Sequence, residues 1–466
     1  MKRRWQFLAV LVACLIGSVV GAYGVTALLQ PSGHVAAQGG SSLGAGSAID
    51  LSQSPRTVAM AGSANAATDA LIRSAQAAVK LHPDSASYFT NLALAYIQKE
   101  RETSDVTYYT LADGALQGAL RLDPSNYAAI NAEAWVALGR HDFARAAALA
   151  HQAIALNRYD SANYGTLGDA ESNLGNYQAM AAAYQQMVNL KPGLASYNRA
   201  SYARWLYGDL RNATRYMLMA IHAGSTQREN VAWCQSQLGD DYFNAGFVVA
   251  AEYQYRAALR TFPHYARALA GLATVEAALG HPRSAIHYYQ QAIVAVPLPQ
   301  YVIGLGDLYT SLGNRKAAAR QYALISFMNR IFTVNHVRFG IELAQFDADH
   351  NTNLAGALRI ARDTARERHD VQTMDTLAWV LYKNGRYAQA WKAEKQALRL
   401  GTHFAPYYFH AGMIQAALGN VTEAQSYLSS ALMLNPNFSV LYVPVARAEL
   451  AHLNAVATAH HADRGR

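Results

Sequence analysis

The sequence predicts an all-α solenoid, a superhelix of about ten helix-turn-helix units. A pair of small or apolar residues, seven apart, recurs ten times at steps of 34, 34, 33, 38, 34, 33, 39, 33 and 34 residues. A glycine lies five residues before most pairs, and a proline lies five residues after several of them. A fixed period of this length is typical of a repeat architecture.

The three markers keep a constant phase along the chain. The pairs are Ala112/Ala119, Ala146/Ala153, Met180/Met187, Ala213/Ala220, Ala251/Ala258, Ala285/Ala292, Ala318/Ile325, Ala357/Thr364, Ala390/Ala397 and Ala424/Ala431. The glycines are Gly175, Gly208, Gly246, Gly280, Gly313, Gly385 and Gly419, and the prolines are Pro124, Pro192, Pro263, Pro297 and Pro436. Pro83 has the same relation to Ala78, which predicts an additional half-unit at the start.

Each unit contains two short apolar-periodic stretches that are too one-sided to be stable alone. The glycine tolerates the positive φ of a tight turn between them. The proline cannot continue a helix, so it ends the second helix of the unit. The small residues let neighbouring helices approach closely. Stacked units therefore bury one continuous apolar layer.

Composition excludes several classes of protein. Apolar residues make up 52% of the 466 residues and charged residues 15%, which excludes a disordered chain. Two cysteines, Cys14 and Cys234, cannot form a disulfide framework or a four-cysteine zinc site. The net charge of +8 includes Lys2, Arg3 and Arg4, and the remainder is too dispersed to indicate a nucleic-acid partner.

The repeat resembles the tetratricopeptide repeat (TPR) family, whose unit is 34 residues long. The best matches are Tyr164 to Pro192, Leu238 to Pro263, Leu269 to Pro297, and Tyr408 to Pro436. The resemblance covers residues 67–440, about 80% of the chain. It implies a right-handed α-α superhelix in which the first helix of each unit lines a concave groove. In that family the groove commonly holds a peptide or a partner helix.

The chain divides into four predicted segments. Residues 1–30 form a membrane anchor or signal segment, because a basic flank precedes 23 uncharged residues from Phe7 to Leu29. Residues 31–66 are a flexible tether rich in Gly, Ser and Ala. Residues 67–440 form the solenoid, and residues 441–466 form a capping helix with a frayed tail.

Three interpretations of the amino terminus remain open. We favour an uncleaved anchor, but Val35-Ala36-Ala37 resembles a signal-peptide cleavage site. The residues up to Cys14 also resemble a lipoprotein motif. All three predict a body outside the cytoplasm, either anchored in the cell envelope or, if the signal is cleaved, secreted.

The TPR register implies a set of residues on the concave groove. The candidates are Asp169, Asn198, Arg199, Tyr202, Trp205, Trp233, Asp240, Phe243, Asn244, Asp307, Trp379 and Tyr382. The aspartates at 169, 240 and 307 each follow a glycine. They form either an acidic ladder that favours a basic ligand or structural contacts between helices. Phe243 and Trp379 belong either to the groove or to the core.

No catalytic constellation is found. The sequence lacks HExxH, GxxxxGK[ST], CxxC and SxxK motifs, so we expect no enzyme and no cofactor. A weak metal candidate is the segment in which Asp347, Asp349 and Asn351 alternate as in a calcium loop. The alternative is a turn between helices in which Asn353 caps the next helix.

The leading hypothesis is a non-catalytic scaffold or adaptor displayed in the cell envelope. It would bind a protein or peptide in the concave groove and contact the membrane through its N-terminal helix. The alternative is a carrier or sensor of a small molecule or metal built on the same solenoid.

Overall fold

The computed structural model describes residues 58–224 and 228–464, with side chains described for residues 68–224 and 228–458. The predicted membrane segment and residues 31–57 of the predicted tether lie outside these ranges. Within them, no helix combines the length and the apolar character needed to cross a membrane.

The described ranges contain 22 α-helices and no strand, which confirms the all-α prediction. A first helix, α1 (Val58–Leu81), precedes ten helical hairpins that we name units 1 to 10. Units 1 to 5 are α2 (Ala86–Thr103) with α3 (Thr107–Leu122), α4 (Tyr127–Gly139) with α5 (Phe143–Leu156), α6 (Ser161–Leu174) with α7 (Tyr177–Leu190), α8 (Leu194–Leu206) with α9 (Leu210–Ala223), and α10 (Arg228–Asn244) with α11 (Val248–Thr261).

The second half of the chain continues the same pattern. Units 6 to 10 are α12 (Ala266–Ala278) with α13 (Pro282–Ala295), α14 (Pro299–Ser311) with α15 (Arg315–Val334), α16 (Gly340–Asp349) with α17 (Leu354–Glu367), α18 (Val371–Lys383) with α19 (Tyr387–Ala397), and α20 (Ala405–Ala417) with α21 (Val421–Leu434). The last helix, α22 (Tyr442–Arg464), packs on the apolar edge of unit 10.

The repeat markers occupy the positions that the sequence predicts for them. The small residues of the pairs are buried in every unit except at Thr364, which is half-buried. All seven marker glycines have a positive φ in the turn between the two helices. His141 and Asn351, with φ of 59° and 53°, occupy the same turn where glycine is missing.

Two local expectations differ from the structure. The first helix begins at Val58, inside the segment predicted as a tether, because residues up to Leu81 continue the helix that precedes unit 1. Asn353 precedes α17 as expected, but its side chain does not cap that helix. Its Nδ2 instead donates to Asp347 Oδ2 at 3.2 Å, which closes the turn between α16 and α17.

The superhelix completes one turn in about six units, so units far apart in sequence meet along a seam. The backbone N–H of Arg338 donates to the Arg140 carbonyl, and that of His369 donates to the Leu174 carbonyl, both at 3.1 Å. Farther along, Asn435 Nδ2 donates to the Phe243 carbonyl at 2.8 Å. The turns of units 2 to 5 thus contact the connections that precede or follow units 8 to 10.

The seam combines buried polar contacts with an apolar cluster. The Val371 N–H donates to the Tyr177 hydroxyl at 2.8 Å, and the Thr402 hydroxyl donates to the Leu206 carbonyl. Tyr177, Leu206 and Val371 pack in one cluster with Tyr407. Successive turns of the superhelix are therefore packed against each other and do not merely pass nearby.

Gly208→Ala is expected to destabilise the protein more than Gly280→Ala. Both glycines have a positive φ, 72° and 77°, so alanine is strained at both. A Cβ at Gly208 would also lie 2.6 Å from the Gly401 carbonyl oxygen across the seam, whereas Gly280 has open space. We expect an additional loss of about 1–3 kcal/mol for Gly208→Ala. Chemical unfolding followed by circular dichroism measures the loss of stability in both variants. Equal losses would show that the seam accommodates the added methyl group without strain.

Candidate functional site

The inner faces of the first helices surround one central cavity with a volume of about 720 Å³. Units 3 to 10 and the segment before α22 contribute to its wall, so the cavity lies inside the turn that the seam closes. Ten of the twelve predicted groove residues line it: Asp169, Asn198, Arg199, Tyr202, Trp205, Trp233, Asp240, Phe243, Asn244 and Asp307. The structure thus brings together residues that are up to 138 positions apart in sequence.

Trp379 and Tyr382 lie elsewhere. Trp379 is only 1% exposed and packs in the core between units 8 and 10. Its Nε1 donates to Asp349 Oδ1 at 2.8 Å, and its ring stacks on His410 with a centroid distance of 4.2 Å. Tyr382 stacks on the Trp379 ring with a centroid distance of 4.8 Å. Neither side chain is among those that line the cavity.

Asp169 is the centre of a buried contact between units 3 and 4. Its Oδ1 accepts from Arg199 Nε and from the Tyr184 hydroxyl, both at 2.9 Å, and its Oδ2 accepts from the other arm of Arg199. Asp169 and Arg199 are 6% and 2% exposed. A bidentate guanidinium–carboxylate pair of this kind fixes the relative orientation of the two helices that carry it.

Asp240 and Asp307 repeat this arrangement at later units. Asp240 accepts from the Tyr255 hydroxyl at 2.6 Å and from Arg267 Nε at 3.0 Å. Asp307 accepts from the Tyr322 hydroxyl at 2.9 Å and is 2.8 Å from a ring nitrogen of His350. We call each set a carboxylate brace: an aspartate, a tyrosine of the same unit and an arginine or histidine of the next unit.

The braces favour the structural interpretation of the three aspartates. Each carboxylate already holds a tyrosine hydroxyl and a nitrogen donor from the adjoining unit. The preceding glycine provides room for the tyrosine ring, since a Cβ at Gly239 would lie 2.6 Å from Tyr255 Cε1. A ligand cation would therefore compete with an internal donor rather than meet a bare carboxylate.

Aromatic rings form the apolar part of the cavity wall. Tyr202 and Trp205 stack with an interplanar angle of 16°, and Phe404 meets the Trp205 ring edge-on across the seam. The Arg267 guanidinium lies 5.0 Å from the centroid of the Trp233 ring. Such rings present large contact areas at low entropic cost, so this wall is suited to anchoring apolar or planar groups.

Parts of this chain match sequence models of a known repeat family. Two sequence models, both described as tetratricopeptide repeat, match the chain, one at residues 271–325 and the other at residues 161–193 and 405–438. Segments 161–193 and 405–438 each span a complete hairpin, units 3 and 10, and segment 271–325 begins within α12 and ends within α15. The chain contains tetratricopeptide repeats. Comparison with curated protein sequences found no significant match.

Comparison with solved structures found chains that are similar to this one at low sequence identity. The human IFIT1 dimer with PPP-AAAA is 16% identical, with a TM-score of 0.44, over 80% of this chain and 88% of that chain. Yeast Tom70 is 15% identical, with a TM-score of 0.34, over 85% and 86% of the two chains. At these scores and identities, the similarity says nothing about a ligand.

Sequence reasoning missed the partners of the TPR aspartates. Tyr184, Tyr255 and Tyr322 each lie fifteen residues after an aspartate, and this constant spacing was a usable signal. The cationic partners gave no such signal. Arg199, Arg267 and His350 follow the aspartates by 30, 27 and 43 residues, because the lengths of the helices and connections differ between units.

The weak metal candidate is not assembled into a site. Among the described residues, no group of three or more His, Cys, Asp or Glu side chains could hold a metal ion. Asp347 accepts from Thr352 and Asn353, and Asn351 Oδ1 accepts from Lys383 Nζ at 3.0 Å. Asp349 accepts the Trp379 indole N–H. The side chains of Asp347, Asp349 and Asn351 are therefore bonded to different partners.

Two buried ionisable groups, Cys234 and Asp241, have pKa values raised by burial. Burial raises the pKa of the Cys234 thiol to about 12, so it stays protonated and is a poor nucleophile. Burial also raises the pKa of Asp241 to about 7, although Gln237 donates to it at 2.9 Å.

The His350 brace differs from the arginine braces because histidine titrates. Its two ring nitrogens face acceptors, the Phe346 carbonyl at 2.7 Å and Asp307 at 2.8 Å, so the doubly protonated ring fits best. Burial lowers the pKa of His350, but the hydrogen bond and charge of Asp307, the Phe346 carbonyl and the charge of Asp349 outweigh it. The pKa is therefore above its usual 6.5.

We expect stability to fall with rising pH through the pKa of His350. Because the folded chain holds this proton more tightly than the unfolded chain, the contribution is complete below pH 6.5 and is lost as the pH passes the raised pKa. Urea unfolding at a series of pH values, compared with His350→Gln, isolates the effect. His287→Gln, at an exposed histidine, should leave the slope unchanged. Identical slopes for all three proteins would contradict the prediction.

Proposed function

We propose that this TPR protein is a non-catalytic adaptor that binds a peptide segment of a partner protein in the central cavity. The observation that carries the proposal is the convergence of aromatic and polar side chains from eight consecutive units on that one cavity. TPR repeats are modules of protein binding. The aromatic wall formed by Tyr202, Trp205 and Trp233 would supply the apolar burial that anchors interfaces.

The proposal includes display in the cell envelope. The basic flank and the uncharged run from Phe7 to Leu29 support an N-terminal membrane segment with the solenoid on the far side. The mass of the protein isolated from cells distinguishes the uncleaved anchor, the cleaved signal and lipidation at Cys14. Protease protection in intact spheroplasts tests on which side of the membrane the solenoid lies.

The binding proposal is tested by crosslinking in intact cells followed by mass spectrometry. Trp205→Ala and Trp233→Ala should each reduce partner capture, since both rings line the cavity. Trp391→Ala is the matched control, because Trp391 is half-buried beside Tyr427 and is not among the cavity residues. Equal capture by all variants would overturn the proposal, as would preferential binding of single-stranded RNA by the purified protein.

One observation favours a second candidate, a small-molecule carrier. Pockets for small ligands measure roughly 300–1,000 Å³, and the cavity volume of about 720 Å³ lies within that range. Native mass spectrometry of the protein purified from its own cells would detect a retained small molecule. A bound mass that is lost in Trp205→Ala and kept in Trp391→Ala would favour the carrier over the adaptor.

A further inference from the structure

The second helices of units 4 to 9 carry a continuous series of basic side chains. Four positions of each second helix are two residues before, and two, five and nine residues after, the first member of the marker pair. Their spacing of four, three and four residues places them on one face of the helix. In these six units, 13 of the 24 side chains at such positions are arginine or lysine, and none is acidic. We call the basic ones the basic belt: Arg211, Arg215, Arg256, Arg260, Arg283, Lys316, Arg320, Arg359, Arg362, Arg366, Lys392, Lys395 and Arg399.

The basic belt is exposed, and the chain neutralises little of its charge. Twelve of its 13 side chains are exposed, and Arg362 is half-buried. Arg256 pairs with Glu252 and Arg366 pairs with Asp363, both at 2.7 Å. Among the described residues, the other 11 side chains of the belt form no ion pair. The belt therefore presents an excess of positive charge to solvent.

The basic belt and the central cavity differ in charge and lie on different faces of the second helices. Tyr255 and Tyr289 reach the cavity from the second helices of units 5 and 6, whereas no residue of the belt lines it. Six aspartates and two arginines line the cavity. The positive charge that is dispersed along the sequence is therefore concentrated on the outside of the fold. A polyanion would be attracted there and not into the cavity.

The basic belt follows the superhelix for about one turn. The seam places the end of α6 in unit 3 beside the start of unit 9, and the end of α8 in unit 4 beside the connection that follows unit 9. The outer faces of units 4 to 9 therefore point in successive directions around the axis. A flat bilayer could face only part of such a belt at one time, whereas a flexible linear chain can follow it from unit to unit.

The side chains of the belt favour a polymer of acidic sugars. Ten of the 13 are arginine, whose guanidinium group binds a carboxylate in a bidentate manner. Positions four apart on a helix are about 6 Å apart along its axis, which is close to the length of one sugar residue. Single-stranded nucleic acids are held by aromatic stacking as well as by charge. Among the 24 positions only Tyr253 and the half-buried Phe327 are aromatic.

We propose that the basic belt binds a linear acidic polysaccharide, a chain of uronate residues that winds around the outside of units 4 to 9. Its carboxylates pair with exposed arginines and lysines of several units at once, so the affinity grows with the length of the polymer. The belt is separate from the cavity wall, so this inference goes beyond the proposed function and does not rest on it.

The test measures the binding of alginate, a linear polyuronate, to the full chain held in nanodiscs of neutral lipid. Arg256→Gln with Arg260→Gln removes two belt charges in unit 5, and Lys392→Gln with Lys395→Gln removes two in unit 9. Each pair of substitutions should weaken the binding of long alginate about three- to tenfold. The two losses should multiply when the pairs are combined, because one polymer contacts both units.

The length of the polymer tests whether the belt acts as a whole. Short alginate chains, compared at the same concentration of uronate, should bind more weakly than long ones because they contact fewer units. They should also lose less affinity than long chains do in either variant, since the unchanged units still bind them. Equal affinity for short and long chains would overturn the inference, and so would a complete lack of alginate binding.

Arg158→Gln with Lys191→Gln is the matched control, because it removes the same charge at two exposed residues that follow the second helices of units 2 and 3, outside the belt. This control and Trp205→Ala in the cavity wall should bind long alginate within about twofold of the parent. An equal loss in the charge control would show that net charge attracts the polymer, and it would overturn the inference. Tighter binding of poly(U) RNA or of phosphatidylglycerol vesicles than of alginate, at equal concentrations of charge, would also overturn it. None of these outcomes bears on the cavity proposal, which Trp205→Ala tests separately.

Discussion

Arg199→Ala is expected to destabilise the protein by about 3–5 kcal/mol, which would unfold a large part of the solenoid. The substitution leaves the Asp169 carboxylate buried with only the Tyr184 hydroxyl as a donor from the brace. Burial raises the pKa of Asp169 and the arginine opposes that effect, so the variant also gains a proton more readily. Chemical unfolding and hydrogen exchange at units 3 and 4 measure the loss.

Two control variants distinguish the effect of this buried ion pair from the effect of an exposed ion pair and from the packing of the arginine side chain. Arg256→Ala removes an arginine whose side chain is 46% exposed beside Glu252 on the same helix, so the cost should stay below about 1 kcal/mol. The double variant Asp169→Leu/Arg199→Met removes both charges and should recover most of the stability. A double variant as unstable as Arg199→Ala would show that packing of the arginine stem, not its charge, holds the units together.

Local structure could be predicted from the sequence because it depends on near neighbours. The glycine at seven of the ten turns, the proline after several of the second helices and the buried pairs such as Ala285 and Ala292 all act within one unit. Placement of the inner-face residues also followed, since a first helix presents the same face in every unit. Ten of the predicted groove residues accordingly meet at the cavity.

The seam could not be predicted in this way. The angle between consecutive units is small, and the pitch of a solenoid accumulates over many of them. Steps of 38 and 39 residues, together with the 20-residue helix α15, alter that angle by amounts that no periodicity reveals. Contacts such as Thr402 with Leu206 thus depend on the sum of six geometries.

Trp379 shows why a position in the register does not decide between ligand contact and core. The register gives the helix face, but Tyr442, the first residue of α22, packs edge-on against the Trp379 ring. The Tyr442 hydroxyl donates to Asp349 at 3.0 Å, beside the indole N–H that uses the same carboxylate. His410 stacks on one side of the indole and also bonds to Asp375 at 2.8 Å. We therefore expect a substitution of Trp379 to affect stability more than binding.

Trp379→Ala is therefore expected to cost about 3–5 kcal/mol through lost packing and the loss of one hydrogen bond to the buried Asp349. Hydrogen exchange should rise across units 8 to 10 and α22, and thermal unfolding should begin at a lower temperature. Trp205 is a half-buried residue of the cavity wall. Trp205→Ala should therefore reduce stability less, and partner binding more, than Trp379→Ala does. If Trp379→Ala kept the unfolding midpoint of the parent and only lost binding of the partner protein, the indole would be a ligand contact. Its surroundings would then have to open when the partner binds. We thus expect Trp379→Ala to reduce mainly stability and Trp205→Ala to reduce mainly binding, which distinguishes a core residue from a residue of the cavity wall.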